Sequence, residues 1–338
     1  QYAGVPAAQC HLHGNAKTVQ ELEAAVEAGI GRIIVDNADE LATLIAICTR
    51  LQKQQKIMLR IAPGVAAGGN AKIQTGKKTS KFGFNIGDGS AMRAIETAFA
   101  SPQLELLGLH AHTGSQIRSF APLQATLRNL FAVAGEAQTR IGWQMREISP
   151  GGGLAVPING TQKAFPIADY CAAIVETAQV EAARHGLPLP HLCIEPGRAV
   201  VARSVVAVYT VTGHKPQDEH PDFLHVDGGV GDNLRPAMYG ANYAALSVLR
   251  PNQPHTTPYQ LAGRYCESGD ILIPKIDLPP SQQGDLIALP AAGAYTLSMA
   301  SNYNGIGRPP LLLLHAGQAR IIQRRETWQD IISRDQSL

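Results

Sequence analysis

Residues 32–40 read Arg-Ile-Ile-Val-Asp-Asn-Ala-Asp-Glu. The apolar run 32–35 predicts a buried strand, and Asp36 marks its polar end. Asn37 is placed to cap a following helix, with Glu40 three residues on as its capping-box partner. This unit of strand, polar end and capped helix recurs through the first two hundred residues. Just upstream, Thr18 and Glu21 form a T-x-x-E signature, and Val19, Leu22, Ala25, Val26 and Ile30 fall on one helical face. Downstream, strands are expected at 57–61, 106–110, 146–148 and 192–194, and helices at 91–100, 121–138 and 170–185. Such alternation predicts an α/β fold with a parallel sheet and helices outside it.

The ends of six consecutive strands carry His13, Asp36, Arg60, His110 with His112, Gly151-Gly152-Gly153, and Glu195. A (β/α) barrel builds its active site at the C-terminal ends of its strands. A doubly wound sheet would concentrate such residues at one switch point instead. Six polar or glycine ends in a row favour the barrel. After about residue 204 the texture changes. Strand-like runs at 204–211, 223–226, 271–273, 285–289 and 311–314 are separated by Pro and Gly turns, and helical periodicity returns only at 326–333. The expected division is a barrel of residues 1–203 and a mostly β domain of residues 204–338.

Composition narrows the function. The chain has 338 residues, 45% hydrophobic and 17% charged, which is ordinary for a soluble globular protein. A net charge of +2 provides no electrostatic footprint for nucleic acid or an anionic membrane. No apolar run approaches the roughly 20 residues of a membrane span. Cys10, Cys48, Cys171, Cys193 and Cys266 are scattered, which argues against a disulfide framework or structural zinc and for a cytoplasmic setting. The 33 glycines cluster after apolar runs, where a tight turn or a phosphate needs bare backbone.

Five motifs carry chemistry. The triplet Gly151–Gly153 suits a phosphate cradle or a tight turn. Glu195-Pro196-Gly197-Arg198 sets a carboxylate, bare backbone and a guanidinium at one strand end. Such a carboxylate would keep a pyridinium nitrogen protonated; the alternative is a Glu–Arg pair that closes the strand. His110-Ala-His112-Thr-Gly-Ser115 brings imidazole and hydroxyl together. Arg235-Pro-Ala-Met-Tyr239 suits a carboxylate, or is a surface loop. Cys266-Glu267-Ser268-Gly269-Asp270 places a thiol among carboxylates, which favours a proton donor over a thiolate nucleophile. No Walker loop, hydrolytic triad or metal cluster is evident.

Read in order, these motifs join His13-Gly-Asn-Ala-Lys17, Thr75-Gly76, Ser80-Lys-Phe-Gly83, Val226-Asp-Gly-Gly229, Gly293-Ala-Tyr295 and 298–304. Over essentially its whole length the chain resembles the pyridoxal-phosphate-dependent group IV decarboxylases, alanine-racemase-like in fold. Ornithine-type members usually read Cys-Asp at the thiol, so Cys266-Glu267 leans to the diaminopimelate branch. The resemblance implies a (β/α)8 TIM-type barrel that binds pyridoxal 5′-phosphate, joined to a C-terminal β-sandwich or β-barrel domain. It also implies decarboxylation of meso-2,6-diaminopimelate to L-lysine by a homodimer with shared active sites. Glu195 separates the chain from alanine racemase, which places an Arg at the pyridine nitrogen.

By this resemblance His112 stacks on the cofactor ring, Glu195 meets its nitrogen and Arg60 supports the His112 face. Ser115, Gly151, Gly152, Gly153, Gly197, Arg198 and Tyr295 surround the phosphate. Arg198, Arg235, Tyr239, Glu267 and Tyr295 bind substrate, and Cys266, from the partner subunit, is the acid. No metal is implied. The family's Schiff-base lysine sits in a Y-A-x-K-A-N motif on the first barrel strand, which this sequence does not contain. Lys17 corresponds to a different family lysine. The resemblance therefore places that lysine and the first two βα units outside this sequence, before Gln1 or in another chain. Two other readings stay open: a non-catalytic relative that binds a ligand or partner, and a decarboxylase of an ornithine-, arginine- or carrier-bound glutamyl-type substrate.

Overall fold

A computed structural model describes residues 2–65, 76, 80–159, 162–163 and 165–336. Thr75 of the Thr75-Gly76 pair lies outside the described residues. The chain forms two compact units, residues 1–155 with 165–196, and residues 156–164 with 197–338.

In the first unit β1 (His11–Leu12), β2 (Arg32–Val35), β3 (Gln55–Ala62), β4 (Phe84–Asn85), β5 (Leu104–His110), β6 (Glu147–Ser149) and β7 (His191–Leu192) alternate with α1 (Val19–Glu27), α2 (Ala38–Leu51), α3 (Ser90–Ala100), α4 (Ala121–Ile141) and α5 (Ile167–Arg184). The sheet runs β1-β2-β3-β5-β6-β7, with β4 paired to the end of β3, and all pairs are parallel. Strands adjacent in sequence are adjacent in space, which is barrel winding and not the reversal of a doubly wound sheet.

The sheet is curled. Arg32 of β2 and Glu147 of β6 lie three positions apart in the strand order, about 14 Å in a flat sheet. Their side chains nevertheless form a two-pronged ion pair, Nε to Oε2 at 2.8 Å and Nη2 to Oε1 at 2.5 Å. Only inward curvature makes such side chains converge. The strands are also buried on both faces: Ile57, Leu59 and Ile61 of β3 are as inaccessible as Met58 between them.

Local signals explain the helices. Thr18 accepts the Glu21 N–H, and the Glu21 carboxylate accepts the Thr18 N–H at 2.7 Å, closing the expected capping box. Leu22, Ala25 and Val26 are buried, but Val19 is exposed and Ile30 lies beyond the helix end. Asn37 caps α2 through the Glu40 N–H at 2.9 Å. Glu40 does not complete a box, because its carboxylate takes the Lys17 ammonium at 2.7 Å, both side chains being 3% exposed. Lys17 also donates to the carbonyls of Ile34 and Gly14 at 2.9 and 2.5 Å. This buried pair ties the turn after β1 to the start of α2.

The second unit comprises α6 (Gly197–Val201), a 3-10 turn (Ala202–Ser204), β8 (Ala207–Lys215), β9 (Asp222–Val226), α7 (Arg235–Tyr239), β10 (Leu246–Ser247), β11 (Thr257–Ala262), β12 (Ile271–Leu278), β13 (Leu286–Leu289), β14 (Leu311–His315), β15 (Gln318–Gln323) and α8 (Trp328–Ile332). Six strands form one sheet in the order β10-β13-β8-β9-β11-β12, antiparallel except for β9 with β11, and β14 pairs with β15. Tyr209, Val211, Leu224, Val226, Tyr259, Leu261 and Ile287 fill its core. Residues 197–203 belong to this unit by their contacts, and Val156, Ala202 and Ala294 form a small apolar cluster in it. Strand β11 was not among the expected strands, and it contains Pro258, which cannot donate to a ladder. Pro258 sits before Tyr259, where pairing to β9 begins, so its missing N–H removes no bond from that ladder.

Gly108 of β5 packs so closely that an added Cβ would lie 1.7 Å from the Glu147 carbonyl oxygen of β6. Gly108→Ala is therefore expected to destabilise the chain by about 1–3 kcal/mol, read as a shift in a urea unfolding midpoint. An unchanged midpoint would contradict the register described for β5 and β6.

Candidate active site

The C-terminal strand ends of the first unit assemble one polar network. Glu195, just beyond β7, is its centre. Its Oε1 accepts a hydrogen bond from the Ser149 hydroxyl at 2.8 Å, and His110 Nε2 lies 3.1 Å from Oε1 and 3.2 Å from Oε2. His110 is 1% exposed, and its ring meets the His13 ring edge-on at 5.1 Å. Burial opposes ionisation of Glu195, but the hydrogen bond and field of His110, the His13 field and the Ser149 hydroxyl prevail and hold its pKa down at about 2. Burial, helped by the neighbouring His110, lowers His112 to about 4. At neutral pH the site thus holds a carboxylate beside an uncharged imidazole.

The glycine triplet threads between the neighbouring strand-end loops. A Cβ on Gly152 would lie 1.8 Å from the Glu195 carbonyl oxygen, and one on Gly153, at φ +96°, would lie 2.3 Å from the Gly114 carbonyl oxygen. Gly151 N–H donates to the Ser149 hydroxyl at 3.1 Å and Gly152 N–H to His112 Nδ1 at 3.3 Å. The chain's own packing therefore demands glycine here, and two of the three N–H groups fix site side chains. Ser115 lies in the loop that Ile117 pins to Gly153, N–H to carbonyl at 2.8 Å. Arg60, near the end of β3, lies 3.8 Å from Asp36 and stacks its guanidinium 4.3 Å from the Phe82 ring centre.

The second unit carries two further groups. Around α6 and α7, the Arg198 guanidinium lies 4.6 Å over the Tyr295 ring, and Arg235, buried, donates to the Tyr243 hydroxyl at 2.7 Å. Burial, with the like charge of Arg235, lowers Arg198 to about 10. An anion would relieve that repulsion. Tyr295 holds φ +60°, rare for a side chain of its size. An added Cβ on Gly197 would meet nothing within 4 Å, so its backbone is open to a ligand. Tyr239 ends α7 and is half-buried.

The other group is the loop between β11 and β12. The buried Asp270 carboxylate accepts the Tyr265 and Val230 N–H groups at 2.8 and 2.7 Å. Cys266 N–H donates to Asn304 Oδ1 at 3.1 Å, and the Tyr303 hydroxyl donates to the Glu267 carboxylate. Cys266 and Glu267 are exposed at the tip. Beside them a pocket of about 290 Å³ is lined by Val230, Leu234, Ala237, Glu267 and Tyr303.

Sequence reasoning had not marked Ser149, Phe82, Tyr243, Tyr303 or Asn304. Tyr303 and Asn304 lay in a quoted motif without a role, whereas Ser149 and Tyr243 emerge only from contacts between distant segments. No metal cluster was expected, yet donor atoms of His13, His110 and Glu195 lie within 4.8 Å of one another. His110 and Glu195 are members of the hydrogen-bonded network already described, and His13 packs edge-on against His110. Among the described residues no helix is long and apolar enough to cross a membrane.

Residues 1–202, which contain the whole Glu195 network, match the family described as pyridoxal-dependent decarboxylase, pyridoxal binding domain. The chain belongs to the pyridoxal-dependent decarboxylases. It is 38% identical over 333 residues to diaminopimelate decarboxylase of Bacillus subtilis, covering 98% of this chain and 76% of that protein. Among solved structures, diaminopimelate decarboxylase from Helicobacter pylori complexed with L-lysine superposes with a TM-score of 0.89 at 30% identity, covering 98% of this chain and 80% of that one. The M. jannaschii enzyme in co-complex with L-lysine gives 0.91 at 30% identity, covering 100% of this chain and 76% of that one.

The donor set fits the cofactor of this decarboxylase family. A carboxylate held ionised suits a protonated ring nitrogen, an uncharged imidazole suits a ring face, and paired guanidiniums with open backbone suit anionic groups.

A pH dependence follows. His112 has its pKa lowered from 6.5 to about 4, so between those values the unfolded chain binds more protons than the folded one. Stability is expected to fall as pH drops from about 6.5 towards 4, and His112→Gln to flatten that slope. Urea unfolding across this range checks it, and an equal slope in the variant would contradict the buried, uncharged ring.

Proposed function

We propose that this chain decarboxylates meso-2,6-diaminopimelate to L-lysine with pyridoxal 5′-phosphate. The observation that carries the reading is the Glu195 carboxylate, held ionised at a strand end by His110 and Ser149 beside the uncharged His112. The bound cofactor supplies an electron sink for the electron pair that departing CO2 leaves on carbon.

Residues of this chain would hold the cofactor and substrate and move the proton. Glu195 keeps a proton on the ring nitrogen. His112 covers one ring face, with Arg60, steadied by Asp36 and Phe82, behind it. Ser115 and Gly151–Gly153 of the first unit, and Gly197, Arg198 and Tyr295 of the second, would each offer groups to the phosphate. Arg198, Arg235, Tyr239 and Tyr295 hold one end of the substrate, and Glu267 selects the other. Two separate sets of polar groups suit a substrate with charged groups at both ends. Cys266 then delivers a proton from Sγ to the carbon that lost CO2.

The reading extends to assembly. The molecule works as a homodimer, with the Cys266–Glu267 tip completing the partner's site. The exposure of that tip, together with its firm support by Asp270, Tyr303 and Asn304, favours such a role. The cofactor-binding domain is taken as residues 1–203, close to the span of the family match, and the C-terminal domain as 204–338. The scattered cysteines fit a cytoplasmic protein.

Glu195→Ala is expected to lower turnover of diaminopimelate by roughly two to three orders of magnitude. Cys266→Ala is expected still to release CO2 while forming lysine slowly or with misplaced protons, seen by comparing CO2 release with lysine formation in deuterated water. Near-normal turnover in Glu195→Ala would refute the electron-sink assignment. Mixing the two variants is expected to restore up to about a quarter of normal lysine formation, because random pairing makes half of the dimers mixed, each with one intact site. No recovery on mixing, with subunit exchange verified, would refute the shared site.

A further inference from the structure

The Glu195 carboxylate does not orient itself. Both of its oxygens face His110 Nε2, at 3.1 and 3.2 Å, and one also accepts the Ser149 hydroxyl at 2.8 Å. His110 comes from β5 and Ser149 from β6, while Glu195 follows β7, so three strand ends fix one carboxylate. His110 is almost wholly buried, and its Nδ1 has no partner among the described residues, so its polar contact is directed at Glu195. His13 packs edge-on against the same ring and limits its rotation.

We propose that His110 is a positioning residue of the reaction, setting through Nε2 the orientation in which Glu195 meets the cofactor's ring nitrogen. The inference deepens the decarboxylase reading and rests on it for the identity of the ligand. His110 need not touch the cofactor: its donor constrains the carboxylate plane, and Ser149 constrains the rotation of that plane. Other titratable groups whose fields reach Glu195 are His11, His13, Arg60, His112, Tyr170 and Cys193, and each must be kept intact in a test.

The experiment compares His110→Phe, His110→Gln and His110→Asn in the full-length holoenzyme. Phe keeps the ring volume without a donor. Gln places an N–H near the position of Nε2, whereas Asn leaves it short of the carboxylate. His110→Phe is expected to lower kcat by about 10- to 100-fold with KM changed less than about 3-fold, because the lost hydrogen bond acts on a charged group used in the transition state. The second readout is the 15N shift of pyridoxal phosphate labelled at the pyridine nitrogen, followed against pH. The normal protein is expected to keep that nitrogen protonated to higher pH than His110→Phe, with His110→Gln restoring most of the difference.

Should His110→Phe fail to fold, Gln against Asn decides on the same two readouts, and equal behaviour of the two overturns the proposal. Unchanged kcat and an unchanged 15N profile in His110→Phe overturn it as well. Failure of the normal protein to decarboxylate diaminopimelate, with the 15N difference intact, would count against the substrate and not against the role of His110.

Discussion

The inward curl of the parallel sheet is the constraint on which the first unit depends. Side chains on a flat sheet stand apart by multiples of the strand spacing, so residues three strands apart lie about 14 Å from each other. Curling turns that spacing into convergence. Arg32 and Glu147 meet across β2 and β6, and His13 and His110 meet across β1 and β5. Two consequences follow from one geometry. Apolar residues on both strand faces become core, and polar residues at the strand ends become neighbours although they are as far apart in sequence as His13 and Glu195.

Charge is handled differently at Lys17–Glu40 and at Glu195. Lys17 and Glu40 neutralise each other and satisfy backbone carbonyls, which makes their pair a fastening. Glu195 instead has one titratable partner and one hydroxyl, and part of its surface stays accessible. A carboxylate so held remains ionised while keeping a side open to a ligand, and that asymmetry distinguishes the site from a structural ion pair.

Much of this was legible in the residues. The run 32–35 is a strand with those very bounds, since a polar end follows it directly, and the Thr18–Glu21 box closes as its spacing requires. The strand-end chemistry was legible for the same reason: a polar residue that ends an apolar run in a barrel has few places to go. What stayed hidden depended on non-local partners. Glu40 lies at capping-box spacing from Asn37, yet it is claimed by Lys17 from another turn. Ser149 lay one residue beyond the expected strand 146–148 and carried no signal of its contact with Glu195. Strand β11 carried no expectation, and nothing local could show that the missing donor of Pro258 falls outside the β9 ladder.

The loop carrying Cys266 and Glu267 has a consequence for how such a site changes over time. Asn304 holds the backbone of one residue and Tyr303 the carboxylate of the next, and the two anchors are themselves consecutive. The thiol and the carboxylate are therefore mounted on a single bracket. A backbone shift at this tip would move both groups together. If Glu267 and Cys266 act as proposed, drift toward a new substrate in this scaffold would be coupled to where the proton lands.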